Sequence, residues 1–142
     1  MNDFNEIIPG LYLGSYDAIY TNEFKQLGIT FIISTTPDEE TKRHPTIVNC
    51  RLAMSSRMNN ETLCERIQSA SNLIKGLLGD GETIYIHCYE GVSRSAACVI
   101  YYIAKTLNLN LEDAITFVKE KRPSVNPNER MLECLDKSFS KL

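Results

Sequence analysis

The apolar residues of this chain fall into two alternating patterns. "LYLG" (Leu11–Gly14), "ITFIIST" (Ile29–Thr35), "TIVNC" (Thr46–Cys50) and "TIYIH" (Thr83–His87) are short apolar runs. They are rich in β-branched or aromatic residues, as strands are. The continuous run at 29–35 suits a strand covered on both faces. Elsewhere the spacing is helical. From Asn60, read as a cap, the residues Leu63, Ile67, Ala70, Ile74 and Leu77 recur at three- and four-residue steps until the "GDG" turn. Helices are also predicted over 17–27, stopped by a left-handed Gly28, over 95–107, and over 111–121 before Pro123. Asn126 and Pro127 read as the cap and first turn of a last helix. Strands alternate with helices first and helices dominate later. This predicts an α/β fold whose central mixed, mostly parallel sheet has helices on both faces. No repeat or linker interrupts the 142 residues, so 1–142 is read as one domain.

Charge and termini narrow the function classes. A net charge of −3 argues against a nucleic-acid binder while leaving room for a local anion site. The opening "MNDFNEIIPG" lacks the basic start and apolar core of a secretory signal. No apolar run reaches bilayer-spanning length, so no membrane partner is expected. The expected location is the cytoplasm. The closing Ser140, Lys141 and Leu142 spell a peroxisomal address, which leaves the peroxisome as a minor alternative. The cysteines are Cys50, Cys64, Cys88, Cys98 and Cys134, an odd count with no C-x-x-C pair. Cys64, Cys98 and Cys134 lie in helical patterns and read as buried apolar residues in a reducing compartment.

One stretch carries chemistry. "IYIHCYEGVSRSAACV" runs from a buried strand through a glycine-containing turn into a helix that Arg94 and Ser95 open. Gly91 lets the backbone turn inward, so successive N–H groups converge and the helix N-terminus adds positive potential. Arg94 supplies a planar fork matched to two phosphate oxygens. The same field favours the thiolate of Cys88, placing a nucleophile beside a bound anion. The plainer reading, a buried cysteine and a surface arginine, suits either residue alone but not the whole stretch.

"HCYEGVSRSA" resembles the signature of cysteine-dependent protein tyrosine phosphatases, specifically the small (atypical) dual-specificity phosphatases. "LYLG" with Ala18, "LGITFIISTT" and "LEDAITFVKEKRPSVNPNERMLECL" are similar to other parts of that family, so the resemblance covers essentially the whole chain. It implies the phosphatase fold with a Cys-x5-Arg phosphate-binding loop and a phosphorylated protein as substrate. Cys88 would be the nucleophile, and Arg94 would bind phosphate and stabilise the transition state. Ser95 would hydrogen-bond the sulfur. The amides of Tyr89, Glu90, Gly91, Val92, Ser93 and Arg94 would line the pocket, and His87 would orient the loop from behind. The resemblance implies no metal and no organic cofactor.

The chain departs from that pattern in one important place. The family carries an aspartate general acid about thirty residues before the cysteine, where this chain reads "CRLAMSSRMNNETL". The position falls on Arg57 without a gap, or on Ser56 when Leu52 and Met54 keep their apolar places. Glu61 is the nearest carboxylate and belongs to a first helical turn. An enzyme without its acid is expected to prefer aryl phosphates, because a phenolate leaves more readily than an alkoxide. Ser34, where the family often has Asn, is a smaller departure. Arg51 and Arg57 read as a basic grip for a second phosphate or as solvated loop residues, and Tyr101 and Tyr102 as phosphosites or core. A phosphoprotein-binding module with little or no turnover is the alternative to an enzyme. Arsenate reduction or sulfur transfer on a similar loop gains nothing from the C-terminal helices.

Overall fold

The computed structural model describes residues 3–140; the peroxisomal tripeptide runs beyond them. Five strands form one sheet: β1 (Phe4–Ile8), β2 (Leu11–Gly14), β3 (Phe31–Ser34), β4 (Val48–Arg51) and β5 (Ile84–His87). Their order is β1-β2-β5-β3-β4. The pairs β2/β5, β5/β3 and β3/β4 are parallel, and only β1 runs antiparallel to its neighbour. The sheet is thus mixed and mostly parallel, as expected. The antiparallel edge was not foreseen, because "FNEII" mixes polar and apolar positions and is too short to stand out.

Alternation along the strands sends side chains to two layers. Leu11, Leu13, Ile33, Ile84 and Ile86 join the large core, whereas Ile32 and Tyr85 join a small one with Ala18, Ile19 and Phe24. The large core is covered by α2 (Asn60–Gly79), α3 (Arg94–Thr106), α4 (Leu111–Lys121) and α5 (Glu129–Ser140). Within it α3 is buried at every position from Ser95 to Ala104, which makes it the central helix. Tyr101 and Tyr102 are core residues there, at 5% and 6% exposure, so the phosphosite reading falls.

The small face departs from the predicted helix over 17–27. A 3₁₀ turn at Asp17–Tyr20 is followed by the short α1 (Asn22–Lys25). Thr21 breaks the run: its extended backbone caps α1, its hydroxyl accepting from the Phe24 N–H and donating to the Ala18 carbonyl. Two caps also shift. Asn59 rather than Asn60 caps α2, accepting from the Thr62 N–H, and the Asn128 side chain rather than Asn126 accepts from Met131 at the start of α5. In each case the residue one turn ahead of the free N–H does the capping, which the run of asparagines and prolines does not reveal.

Cys64 on α2 and Cys134 on α5 are joined in a disulfide, correcting their reading as separate apolar side chains. Seventy residues separate them in sequence, so no local spacing announces the pair. Cys98 is fully buried and free, as expected.

Candidate active site

The loop from Cys88 to Ser93 leaves the C-terminal end of β5, in the middle of the sheet, and enters α3 at Arg94. Crevices at the carboxyl ends of parallel strands are where such folds bind ligands. Gly91 adopts φ 73°, and a Cβ there would run into the Gly14 carbonyl. Only glycine allows this turn and this approach to β2.

The turn aims donors at the sulfur. Cys88 is 3% exposed, and its Sγ accepts from the Gly91 N–H at 3.3 Å and from the Ser95 hydroxyl at 3.1 Å. Burial by itself pushes the Cys88 thiol up. Hydrogen bonds from the Ser95 hydroxyl and from the Ser95, Ser93 and Gly91 amides together outweigh it and hold the thiol below its ordinary value. Hydrogen bonds therefore stabilise the thiolate here; Arg94, expected to share that work, makes no hydrogen bond to the sulfur among the described residues.

Behind the loop, His87 is fully buried. Its Nδ1 meets the Cys88 carbonyl at 2.9 Å and its Nε2 meets the Ser34 hydroxyl at 2.8 Å. A carbonyl can only accept, so Nδ1 carries the hydrogen and Nε2 accepts from Ser34. Burial lowers the imidazole to about 4, against the bond to the Cys88 carbonyl that favours its charge, and Arg51 lowers it further. Ser34 in turn accepts from Asn49 Nδ2 at 3.0 Å on neighbouring β4. The Ser34 departure is thus accompanied by an amide one strand away. Thr35 fixes the His87 carbonyl through both its N–H and its hydroxyl.

Arg122 lies within "LEDAITFVKEKRPSVNPNERMLECL", where the sequence by itself assigns it no role. It is 2% exposed and donates to the Gly91 carbonyl at 2.9 Å and the Glu90 carbonyl at 2.9 Å. It also ties Asp3 and Asn5 to the same point. By drawing loop carbonyls outward it helps leave the N–H groups facing inward. The segment before α5 adds two further ties: the Asn126 N–H to the Val92 carbonyl at 2.7 Å, and the Asn128 N–H to the Ser93 hydroxyl at 2.9 Å.

Arg94 opens onto a cavity of about 310 Å³ lined by Glu40, Ser55, Ser56, Leu63, Asn128, Arg130 and Met131. Ser56 and Arg57 are both exposed, and neither carries a carboxyl group, so no acid stands at the family position. The Ser56 carbonyl is held by Arg130 at 2.9 Å, and Arg130 also grips Met58 and Asn60. Arg130 therefore shapes this segment from α5, a role the sequence did not suggest. Arg51 is not a grip for a second phosphate. Its side chain is 6% exposed and binds Thr36, Asp38 and Thr41 of the loop between β3 and β4.

The buried Cys88 sulfur thus stands at the head of α3, met by the Gly91 N–H and the Ser95 hydroxyl and favoured as thiolate. The family model of the dual specificity phosphatase catalytic domain matches residues 11–139. The chain belongs to this family. It is 34% identical over 133 residues to serine/threonine/tyrosine-interacting protein A of Xenopus laevis, covering 89% of this chain and 60% of that protein. It is 33% identical over 132 residues to dual specificity protein phosphatase 8 of Homo sapiens, covering 89% and 20% respectively. The chain thus spans between 20% and 60% of the length of these two curated relatives. Among solved structures, the human tyrosine phosphatase-like serine/threonine/tyrosine-interacting protein superposes with a TM-score of 0.83 at 27% identity, covering 99% of this chain and 98% of that one.

Within this dual specificity phosphatase domain the fold brings the Gly91 N–H and the Ser95 hydroxyl to the Cys88 sulfur, while Arg94 opens α3 and contacts Glu40 and Met54. The fold also gathers Arg122, Arg51, Arg130 and Glu40, which come from four separate parts of the chain.

Proposed function

We propose that this domain is a protein phosphatase that hydrolyses phosphotyrosine, and more slowly phosphoserine and phosphothreonine, through a phosphocysteine intermediate on Cys88. The observation that carries the reading is the convergence of the Gly91 N–H and the Ser95 hydroxyl on a buried Cys88 sulfur, with the thiol held below its ordinary value. A phosphate monoester seated on the amides of residues 89–94 and on Arg94 presents its phosphorus in line with that sulfur. The thiolate attacks phosphorus, the P–O bond to the substrate breaks, and the departing oxygen takes its proton from water. Water then attacks the phosphorus, the S–P bond breaks, and inorganic phosphate leaves. The Ser95 hydroxyl, already donating to sulfur, stabilises the thiolate that departs in this second step.

The aryl preference follows from Ser56 and Arg57. With no carboxylic acid at that position, a phenolate is the better leaving group. A phosphoprotein-binding module without turnover is not favoured, since the thiol is present and fully supported by donors.

Hydrolysis of a chromogenic aryl phosphate by wild type, Cys88→Ser and Ser56→Asp tests the proposal. Wild type should turn over, Cys88→Ser should be silent, and Ser56→Asp should be faster. Wild type as silent as Cys88→Ser, with phosphopeptide still bound, overturns it in favour of the binding module.

A further inference from the structure

Helices α2 and α5 meet in register along three rungs. Asn60, Cys64 and Gln68 lie at four-residue steps on α2, and Arg130, Cys134 and Ser138 at the same steps on α5. Residues four apart share one face of a helix. The first rung is a clamp, in which Arg130 donates to Asn60 Oδ1 through Nε at 3.1 Å and Nη2 at 2.9 Å. The second is the Cys64–Cys134 disulfide. In the third, Gln68 Nε2 donates to Ser138 Oγ at 3.4 Å. The Cys134 sulfur lies 3.6 Å from the Asn60 carbonyl, so the first two rungs share Asn60.

Two cavities adjoin this ladder. Beyond the first rung Arg130 reaches the Ser56 and Met58 carbonyls, and Ser55, Ser56 and Arg130 line the cavity onto which Arg94 opens. A second cavity, of about 350 Å³, has Asn60, Cys64, Gln68 and Ser138 in its lining. Cys64 is half-buried there, whereas Cys134 is 1% exposed. A reagent in the second cavity therefore meets the Cys64 sulfur and not its partner.

We propose that Cys64 is a thiol–disulfide exchange site: a dithiol entering the second cavity opens the Cys64–Cys134 link and thereby loosens the Arg130 clamp on the wall of the Arg94 cavity. The consequence, control of the phosphate site, rests on the phosphatase reading. One thiolate of the dithiol attacks Cys64 Sγ and bonds to it, the Cys64–Cys134 bond breaks, and Cys134 leaves as a thiolate that takes a proton. The second thiolate of the dithiol then attacks the dithiol's own sulfur in the mixed disulfide, and Cys64 leaves and is protonated in the same way. The dithiol ends as a disulfide and the protein as two thiols, having gained two electrons and two protons. Without the covalent rung, Arg130 is held by hydrogen bonds alone on a side chain rich in rotamers. A staple serving stability alone needs neither an open sulfur nor a place beside the clamp; this link has both.

The test uses the Cys88→Ser protein, in which the nucleophile's own oxidation cannot enter the readout. Brief exposure to glutathione followed by mass mapping should find the adduct on Cys64 and not on Cys134. Dithiothreitol should release two thiols from the folded protein. Hydrogen exchange at the Arg57, Met58 and Thr62 amides, each bonded to Ser55 or Asn59, should then quicken about tenfold, while Ile84–His87 stays protected. Tungstate binding by calorimetry should weaken about 3- to 10-fold, the scale of ordering one side chain at a site. In an Arg130→Gln background, checked for folding by thermal melts, reduction should change neither readout further. An adduct on Cys134 overturns the proposal, as does a link that opens only after urea unfolding or a thiol count that dithiothreitol leaves unchanged. Faster exchange spread evenly over α2 and β5 also overturns it, because that is general destabilisation. Should wild type hydrolyse no aryl phosphate, the phosphatase reading fails, and adduct mapping and hydrogen exchange still decide the exchange site.

Discussion

Acid should loosen this fold through His87. The imidazole is fully buried and accepts at Nε2 from Ser34, and burial lowers it from 6.5 to about 4. The unfolded chain therefore takes up this proton before the folded one does. The stability carried by neutral His87 is whole above about pH 6.5 and is lost progressively as pH falls toward 4. A gap of that size corresponds to about 3 kcal/mol at about 1.4 kcal/mol for each pH unit. Between about pH 7 and pH 5 the linkage relation assigns about 2 kcal/mol of the loss. Domain stabilities are about 5–15 kcal/mol, so the change is readily measured. Urea unfolding of wild type and His87→Gln at both pH values isolates it, because titrating carboxylates contribute alike to both proteins. His87→Gln starts lower at neutral pH from lost packing but should lose about 2 kcal/mol less on acidification. Equal losses in the two proteins would refute the assignment of a neutral, buried His87 to the loop support.

Ser95→Ala removes the strongest of the bonds that lower Cys88. The acid limb of the kcat/KM profile should move to higher pH, and phosphoenzyme should accumulate in quenched-flow labelling; an unmoved limb would remove Ser95 from the thiolate account. Ser56→Asp should raise turnover of alkyl phosphates by about 10²-fold, the low end of the usual range of about 10²–10⁴ for general acid catalysis, and help aryl phosphates less. Arg122→Met strands the Gly91 and Glu90 carbonyls and should cost about 3 kcal/mol in chemical denaturation with loss of tungstate binding. Cys64→Ser should lower stability by about 2–4 kcal/mol without reductant, and dithiothreitol should bring wild type down to the variant.

Much of the fold was legible because its signals are local. The run at 29–35, the periodic face of 60–79 and the strand before Cys88 each bury apolar residues at a single period. That period is a property of the chain before it folds. The same holds for the central loop, where strand end, cysteine, glycine, arginine and helix start lie within eight residues. Where two local signals compete, the reading slipped. Thr21 both ends one turn and caps the next, and the asparagines before α2 and α5 offer several caps of which the tertiary path selects one.

By itself, then, the sequence determined the α/β architecture, the placing of Cys88 and Arg94 at the two ends of one loop, and the lack of an acid at Ser56 or Arg57. Only the tertiary structure decided what surrounds them. Arg122 reaches Gly91 across 31 residues, Arg94 reaches Glu40 across 54, and Arg130 reaches Ser56 across 74. The Cys64–Cys134 link spans 70. The physical reason is range. Backbone propensity and hydrophobic period act over a few residues, whereas a guanidinium or a thiol finds its partner wherever chain packing brings an acceptor or a second sulfur within bonding distance. An arginine in a sequence reads as a surface charge; what it clamps is settled only when the sheet and helices have closed around it.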